Sequence, residues 1–211
     1  MDRIERPGVE AWLDRIVNVG GAAVLIVLLS PLLLVLAAWV RLTDGGPAIF
    51  AHRRLGLGGR PFYCLKFRSM AVDADVRLKR LLEEDAEARA EWARDQKLRN
   101  DPRVTAIGEV LRKSSLDELP QLFNVLRGEM NLVGPRPIVT GEIERYGRYF
   151  RAYASVRPGI TGLWQISGRN DVSYRRRVAL DTVYSRRRSL AFDIGVLFRT
   201  VPVVLLRRGS Y

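Results

Sequence analysis

Arg112-Lys-Ser-Ser-Leu-Asp-Glu-Leu-Pro-Gln-Leu-Phe-Asn-Val-Leu126, closed a few residues on by Gly134-Pro-Arg-Pro137, is the stretch that orders the rest of the chain. It sets two adjacent carboxylates, Asp117 and Glu118, in a frame of cations: Arg112 and Lys113 before, Arg127 and Arg136 after. Two registers compete. In the first, Ser115-x-x-Glu118 is a capping box, and Leu119, Leu122, Phe123 and Leu126 are the apolar face of the helix it opens. Pro120 speaks against it, because a fifth helical residue without an N–H breaks a backbone bond. In the second, the helix starts at Pro120, and Asp117 and Glu118 occupy the turn before it. In both, the carboxylates lie at a positive helix end, which can also hold a phosphate. Neighbouring residues do not share a helix face, so the two acids are expected to do different jobs rather than share a proton.

The totals narrow the chemistry. A chain of 211 residues supports one domain with a core, with room for a membrane piece. Its single cysteine, Cys64, excludes an intramolecular disulfide and a thiol-based zinc cluster. Its single histidine, His52, excludes a multi-histidine metal site or a His-based triad built by one chain. Carboxylate chemistry is what remains. The net charge of +12 is uneven: residues 1–144 hold 21 basic and 20 acidic side chains, a net of +1, whereas residues 145–211 hold 14 Arg and 3 Asp, a net of +11. A basic end of that size expects an anionic partner, either membrane headgroups or nucleic acid. Arg supplies 31 of the 35 cations, which favours phosphate recognition.

Val17 to Val40 is an apolar run of 24 residues with no charge, long enough to cross a bilayer of about 30 Å. Ser30-Pro31 sits near its middle. Two forms are open, a kinked transmembrane helix and a re-entrant hairpin that leaves on the side it entered. Arg3, Arg6 and Arg15 before the run and Arg41, Arg53, Arg54 and Arg60 after it give no decisive charge asymmetry. Thr43 to Pro61 reads as turns. Phe62 to Met70 reads as a strand that places Cys64, Lys66 and Arg68 on one face, where two cations could grip a diphosphate; the alternative is a solvated edge strand. Asp73 to Arg99 reads as one charged surface helix with a modest apolar side of Leu78, Leu81, Leu82 and Trp92, ended by Asn100-Asp-Pro102. Thr105 to Leu111 leads into the carboxylate stretch. Glu142 to Tyr153 reads as an amphipathic helix whose Tyr146, Tyr149, Phe150 and Tyr153 suit a membrane interface or a core. Arg157-Pro-Gly159 opens a turn-rich loop containing Trp164. Val172 to Ser189 carries two triple-arginine runs, 175–177 and 186–188. Leu190 to Leu206, closed by Arg207-Arg208, reads as an interfacial helix.

Four segments in this order resemble the bacterial sugar transferases: Lys66-Phe-Arg-Ser-Met70, Ser115-Leu-Asp-Glu-Leu-Pro-Gln121, Gly128-Glu-Met-Asn-Leu-Val-Gly-Pro-Arg-Pro137, and Arg157 through Arg169. More narrowly they are similar to the monotopic polyprenyl-phosphate phosphoglycosyl transferases, over about Asp14 to Tyr211. His52 departs from the family pattern, where Gln is usual, and the second arginine run is less mixed than is usual there. The chain looks like a short form, lacking the multi-span region that precedes the hairpin in larger members. The resemblance implies an α/β, mostly α, fold: a re-entrant helix–break–helix with the break at Ser30 and Pro31 over residues 1–42, and a cytoplasmic catalytic domain with interfacial helices over residues 43–211. It implies transfer of a sugar phosphate from a nucleotide sugar, UDP being favoured, to a polyprenyl phosphate such as undecaprenyl phosphate. UMP would leave, as the first membrane step of exopolysaccharide or glycoconjugate synthesis.

In those terms Asp117 is the expected nucleophile and magnesium ligand, forming a covalent sugar-phosphate intermediate, and nearby cations would keep it ionised. Glu118 would assist the acceptor phosphate or the metal. Lys66, Arg68, Arg112 and Arg136 are the expected diphosphate-binding cations, Arg136 being aimed by the prolines on either side of it. Mg2+ is the expected cofactor. The expected partners are nucleotide sugar, polyprenyl phosphate and membrane lipids, with no nucleic acid; a homodimer is left open. The expected location is the cytoplasmic face of the bacterial inner membrane. Two non-enzymatic readings compete, a membrane-bound binder of anionic lipid or nucleic acid and a scaffold for polysaccharide assembly. The paired acids argue against a binder, because carboxylates repel phosphate unless a metal lies between them. The residues do not disclose the sugar.

Overall fold

A computed structural model describes residues 8–95, 98, 100–168 and 172–205. Arg3, Arg6, Arg99, Arg169, Arg207 and Arg208, which figure in the sequence reading, lie outside the described residues.

The long apolar run forms the body of α1, Gly8–Asp44, a helix of 37 residues. The expected break at Ser30-Pro31 is absent: the helix continues with Pro31 inside it. The local chemistry explains this. Pro31 has no N–H for the carbonyl of Val27, four residues back, and the Ser30 hydroxyl donates to that carbonyl instead, at 2.8 Å. Asp14, Asn18, Ala22, Leu36 and Val40 are buried, with Ile26, Leu29 and Leu33 partly buried between them. Their spacing of three or four makes one inward stripe. Val24, Val27, Leu28, Leu34, Val35 and Leu42 face outward and are exposed.

Phe62 to Met70 forms β2, Pro61–Phe67. The segment before it corrects the expectation of turns. Ile49–Leu55 is a strand, β1, antiparallel to β2, with Phe50 opposite Lys66 and His52 opposite Cys64. Arginines at 53 and 54 hid its alternation, and the reversal falls on Gly58 and Gly59, both at positive φ. The single charged helix expected over 73–99 is two, α2 (Ala74–Glu84) and α3 (Ala86–Asp95). Asp85 divides them with an extended backbone, and its carboxylate accepts from the amides of Glu87 and Ala88.

Thr105 caps α4, Ala106–Ser114, accepting from the Gly108 amide. Ser115 then adopts φ +60°, Leu116–Glu118 makes one 3-10 turn, and α5 spans Gln121–Arg127 with Pro120 at its N-cap. The second register is therefore the observed one, and Ser115 makes no capping box. The buried side of α5 is Gln121, Leu122, Asn124 and Val125; Phe123, expected inside, is 40% exposed.

A second sheet pairs β3, Asn131–Val133, in parallel with β4, Gly159–Thr161, at the start of what was expected to be loop. The backbones cross so closely that a Cβ on Gly159 would lie 2.0 Å from the Gly134 nitrogen. The helix expected over 142–153 is broken by Gly147, at φ +50°, into α6 (Ile143–Tyr146) and α7 (Phe150–Ala154) with 3-10 turns beside them. Tyr146 and Tyr153 are core residues, whereas Tyr149 is largely exposed. Two helices follow, α8 (Tyr174–Arg187) and α9 (Leu190–Leu205). On α9 Asp193 is buried and accepts from the Tyr184 hydroxyl, while Ile194, Phe198 and Val201 are exposed.

The architecture is mostly helical with two small sheets, and α1 is integral to it. Ala22 packs with Phe62, Leu122, Val125, Met130 and Val196, and Leu36 and Val40 pack with Phe67, Ile107 and Leu111. A third cluster, without α1, joins Leu55, Ile138, Tyr146, Tyr153 and Val178. Polar ties fix both ends of α1. Arg15 donates to the carbonyls of Val125 and Leu126, and Arg188 pairs with Asp14. Asn18 accepts from the Leu132 amide, and at the other end Asp44 holds Arg68.

Candidate functional site

Asp117 and Glu118 reach the wall of a cleft of about 1460 Å³ bounded by β2, α4, the 116–118 turn and the loop around Trp164. A buried polar side chain sets their distance from β2. Asn124, fully buried on α5, donates to the Tyr63 carbonyl at 2.7 Å and accepts from the Leu65 amide at 2.9 Å. It takes the place of a neighbouring strand and locks β2 to the segment carrying the carboxylates. Lys66 thereby arrives with its Nζ 2.7 Å from Glu118 Oε1 and 3.6 Å from Asp117 Oδ2.

Arg136 also approaches this carboxylate, its Nη1 3.9 Å from Glu118 Oε1. The loop that carries it is pinned by the Gly159 amide donating to the Pro135 carbonyl. Arg112 lines the same cleft and donates through Nε to the Ser69 hydroxyl at 2.9 Å. Arg68 lines the same cleft, but its side chain is engaged elsewhere. Its guanidinium engages both oxygens of Asp44 and the carbonyl of Pro47, so it ties the end of α1 to the end of β2. The paired grip of Lys66 and Arg68 expected from strand alternation is thus divided, Lys66 to the carboxylates and Arg68 to a structural ion pair. Ser30 and Pro31 lie on α1 and line no part of the cleft.

Burial and the cations act against each other at Asp117, whose carboxyl is raised above the ordinary value. Burial is the largest cause and Glu118 adds to it; Lys66, Arg112 and Arg136 oppose without prevailing. Burial also lowers Arg112, with Asp117 resisting. Cys64 sits beside Lys66 on the strand, but burial pushes its thiol up to about 11, which leaves it inert as a nucleophile. His52 lies on the cleft rim, tilted against Phe50 with ring centroids 5.8 Å apart, and burial and Arg54 lower it.

Among the described residues, no three His, Cys, Asp or Glu side chains gather at one point. Asp117 and Glu118 opening on one cleft still fit magnesium, which takes one or two carboxylates and fills its octahedron with phosphate oxygens and water. Ser69, Trp164 and Gln165 carry no mark in the sequence that singles them out as site residues. Trp164 and Gln165 also line the cleft. Asn124 could have been suspected as the one polar residue inside an apolar run of a short helix.

Comparison with known proteins places these features. The family model described as "Bacterial sugar transferase" matches residues 9–207. The exopolysaccharide production protein ExoY of Rhizobium meliloti (strain 1021) is 52% identical over 194 residues, covering 92% of this chain and 86% of the relative. The undecaprenyl-phosphate galactose phosphotransferase of Salmonella typhimurium is 52% identical over 201 residues, covering 95% of this chain but 42% of the relative. The UDP-glucose:undecaprenyl-phosphate glucose-1-phosphate transferase of Caulobacter vibrioides is 41% identical over 205 residues, 93% and 71% of the two chains. The chain thus spans less than half the length of some relatives and most of the length of others.

Proposed function

The chain belongs to the bacterial sugar transferase family, and on that footing we propose that it moves a sugar 1-phosphate from a UDP-sugar to undecaprenyl phosphate in exopolysaccharide synthesis. The activities for which those relatives are named support the substrates. The observation that carries the reading is Lys66 bridging Asp117 and Glu118 in a cleft that Arg112 and Arg136 also line.

The chemistry follows from the reacting groups. The Asp117 carboxylate attacks the phosphorus that bears the sugar; the bond from that phosphorus to the bridging oxygen breaks, and UMP leaves with the bond's electrons. The product is an acyl phosphate on Asp117. An oxygen of the polyprenyl phosphate then attacks the same phosphorus and releases the Asp117 carboxylate. Lys66 and Arg136 bind the donor's phosphate oxygens, and Arg112 offsets the charge of Asp117. Glu118 orients Lys66. Asp117, with Glu118 in reach, would hold magnesium, which would supply charge neutralisation for the diphosphate.

The lipid acceptor calls for a site at headgroup depth. α1 is long and apolar enough to cross a membrane, and only 11% of its most apolar window is buried. Yet Asp14, Arg15 and Asn18 at one end and Asp44 at the other are all tied to the same domain. Those ties support a re-entrant, same-side topology, with the outward face of α1 and the exposed residues of α9 in the lipid. The catalytic domain, residues 43–211, would then lie on the cytoplasmic face of the inner membrane. UMP release from a panel of UDP-sugars, with magnesium and a polyprenyl phosphate, tests the reading. Wild type should release it from at least one donor and Asp117→Asn from none; a binder or scaffold releases none at all.

A further inference from the structure

We propose that Trp164 and Arg177 are positioning residues for Arg136, so that α8 aims the cation that faces Glu118. The inference deepens the transferase reading and rests on it for the role of Arg136.

The backbone around Arg136 is fixed by the bond to the Pro135 carbonyl, by Arg54 Nη1 donating to the Pro137 carbonyl at 3.4 Å and by the Leu55 amide donating to the Ile138 carbonyl at 2.8 Å. That sets where the side chain starts, not where it ends. The Arg136 side chain is 35% exposed, and its approach to Glu118 at 3.9 Å is longer than a hydrogen bond. On its other side lies the ring of Trp164, whose centroid is 5.8 Å from the guanidinium carbon, within cation–π range. Trp164 is buried, and among the described residues its indole N–H finds no acceptor, so no hydrogen bond orients the ring. Arg177 does so by packing, its guanidinium carbon 4.8 Å from the same ring.

Arg177 is itself anchored. It lies over the Tyr174 ring at 5.3 Å and 3.9 Å from Glu142 Oε1, and Glu142 also faces Arg54 at 3.7 Å. Among the described residues its buried Nε and Nη2 make no hydrogen bond. A buried guanidinium that leaves donors unmade is costly, and its stacking on Trp164 is the contact that gives the arrangement a use. Arg175 and Arg176, in the same run, are exposed.

Core packing alone would make Trp164 and Arg177 matter for melting temperature and act independently of Arg136. Positioning makes their effect pass through Arg136. The test uses the full chain with Trp164→Leu, Trp164→Phe, Arg177→Gln and Arg136→Ala, singly and with each of the first three paired with Arg136→Ala. Three readouts are taken: binding of inorganic pyrophosphate with magnesium by calorimetry, donor kinetics, and the melting temperature. Trp164→Leu and Arg177→Gln should each weaken pyrophosphate binding and kcat/KM about tenfold, through KM, while Trp164→Phe stays within about threefold. On the Arg136→Ala background the same changes should cost less than about twofold. Undiminished losses on that background, or Phe as damaging as Leu, overturn the proposal; should the Leu variant not fold, the Arg177→Gln cycle decides. A wild type that binds pyrophosphate but releases no nucleotide from any donor refutes the transferase reading while the binding cycle still judges the positioning. A wild type that neither binds pyrophosphate nor releases nucleotide from any donor overturns both.

Discussion

At Asp117, burial and charge pull in opposite directions and burial prevails. A nucleophile must be ionised, so the acid limb of kcat/KM should lie above the ordinary aspartate range. Lys66 is the strongest opposing group. Lys66→Met should therefore move that limb to higher pH as well as weaken donor binding, and a pH–rate profile unchanged in position would contradict this. Arg136→Ala should cost about 1.5–3 kcal/mol in kcat/KM, the range for hydrogen bonds to charged groups, whereas Arg68→Ala should cost a similar amount in folding stability with the kinetics of the folded fraction little changed. Chemical denaturation beside steady-state kinetics separates the two. Asp181 gives a stability test. It is almost wholly buried, accepts from the Tyr146 hydroxyl at 2.6 Å, and burial raises it to about 7 against the opposition of Tyr146, Arg177 and Arg136, with Glu142 adding to the rise. With the folded value above the unfolded one, its favourable contribution is complete at low pH and is lost as pH rises toward and through 7. Asp181→Asn should flatten the fall in melting temperature between pH 5 and pH 8; an unchanged slope would exclude Asp181 as its source.

The elements show what could be read in advance and what could not. The apolar run of α1, the strand at β2 and the two arginine runs near α8 were legible, because periodicity and composition speak locally. β1 was not, since its arginines and histidine mask the alternation and its partner strand supplies the reason to extend. The division of α2 from α3 turned on one side chain, Asp85, bonding to the amides just beyond it. At the site, the motifs named Asp117, Glu118 and Lys66, which the structure brings together, but not the pairing of Arg68 with Asp44, which is 24 residues away in sequence. The Ser30-Pro31 pair was legible as chemistry, but that the helix runs on through it was not, because the Ser30 hydroxyl serves the Val27 carbonyl. Ser30→Ala should leave that carbonyl unmatched in an apolar setting and destabilise α1 by about 1–3 kcal/mol; unchanged melting in detergent would mean the bond contributes nothing. For the topology, a single cysteine at position 3 in a Cys64→Ser background should stay unlabelled by an impermeant thiol reagent until the inner membrane is opened. Labelling of intact cells would exclude the same-side arrangement.

For the molecule as a whole, α1 packs into two of the three core clusters among the described residues, so its apolar length is bound up with the stability of the domain. The cleft borders β2, which Phe67 fastens to α1, so the site and the exposed apolar face of α1 form one body. The uneven charge, with net +11 in residues 145–211, would add attraction for anionic headgroups in the proposed membrane setting. The central claim is that this body carries a sugar phosphate on Asp117 between donor and acceptor. The most direct measurement is intact-protein and peptide mass spectrometry after incubation with UDP-sugar and magnesium but no polyprenyl phosphate. The expected result is a mass increase equal to one sugar phosphate, on the peptide containing Asp117, lost on addition of polyprenyl phosphate and absent in Asp117→Asn. Turnover of the donor by wild type with no such adduct trapped, or an Asp117→Asn variant that still turns over, would contradict it.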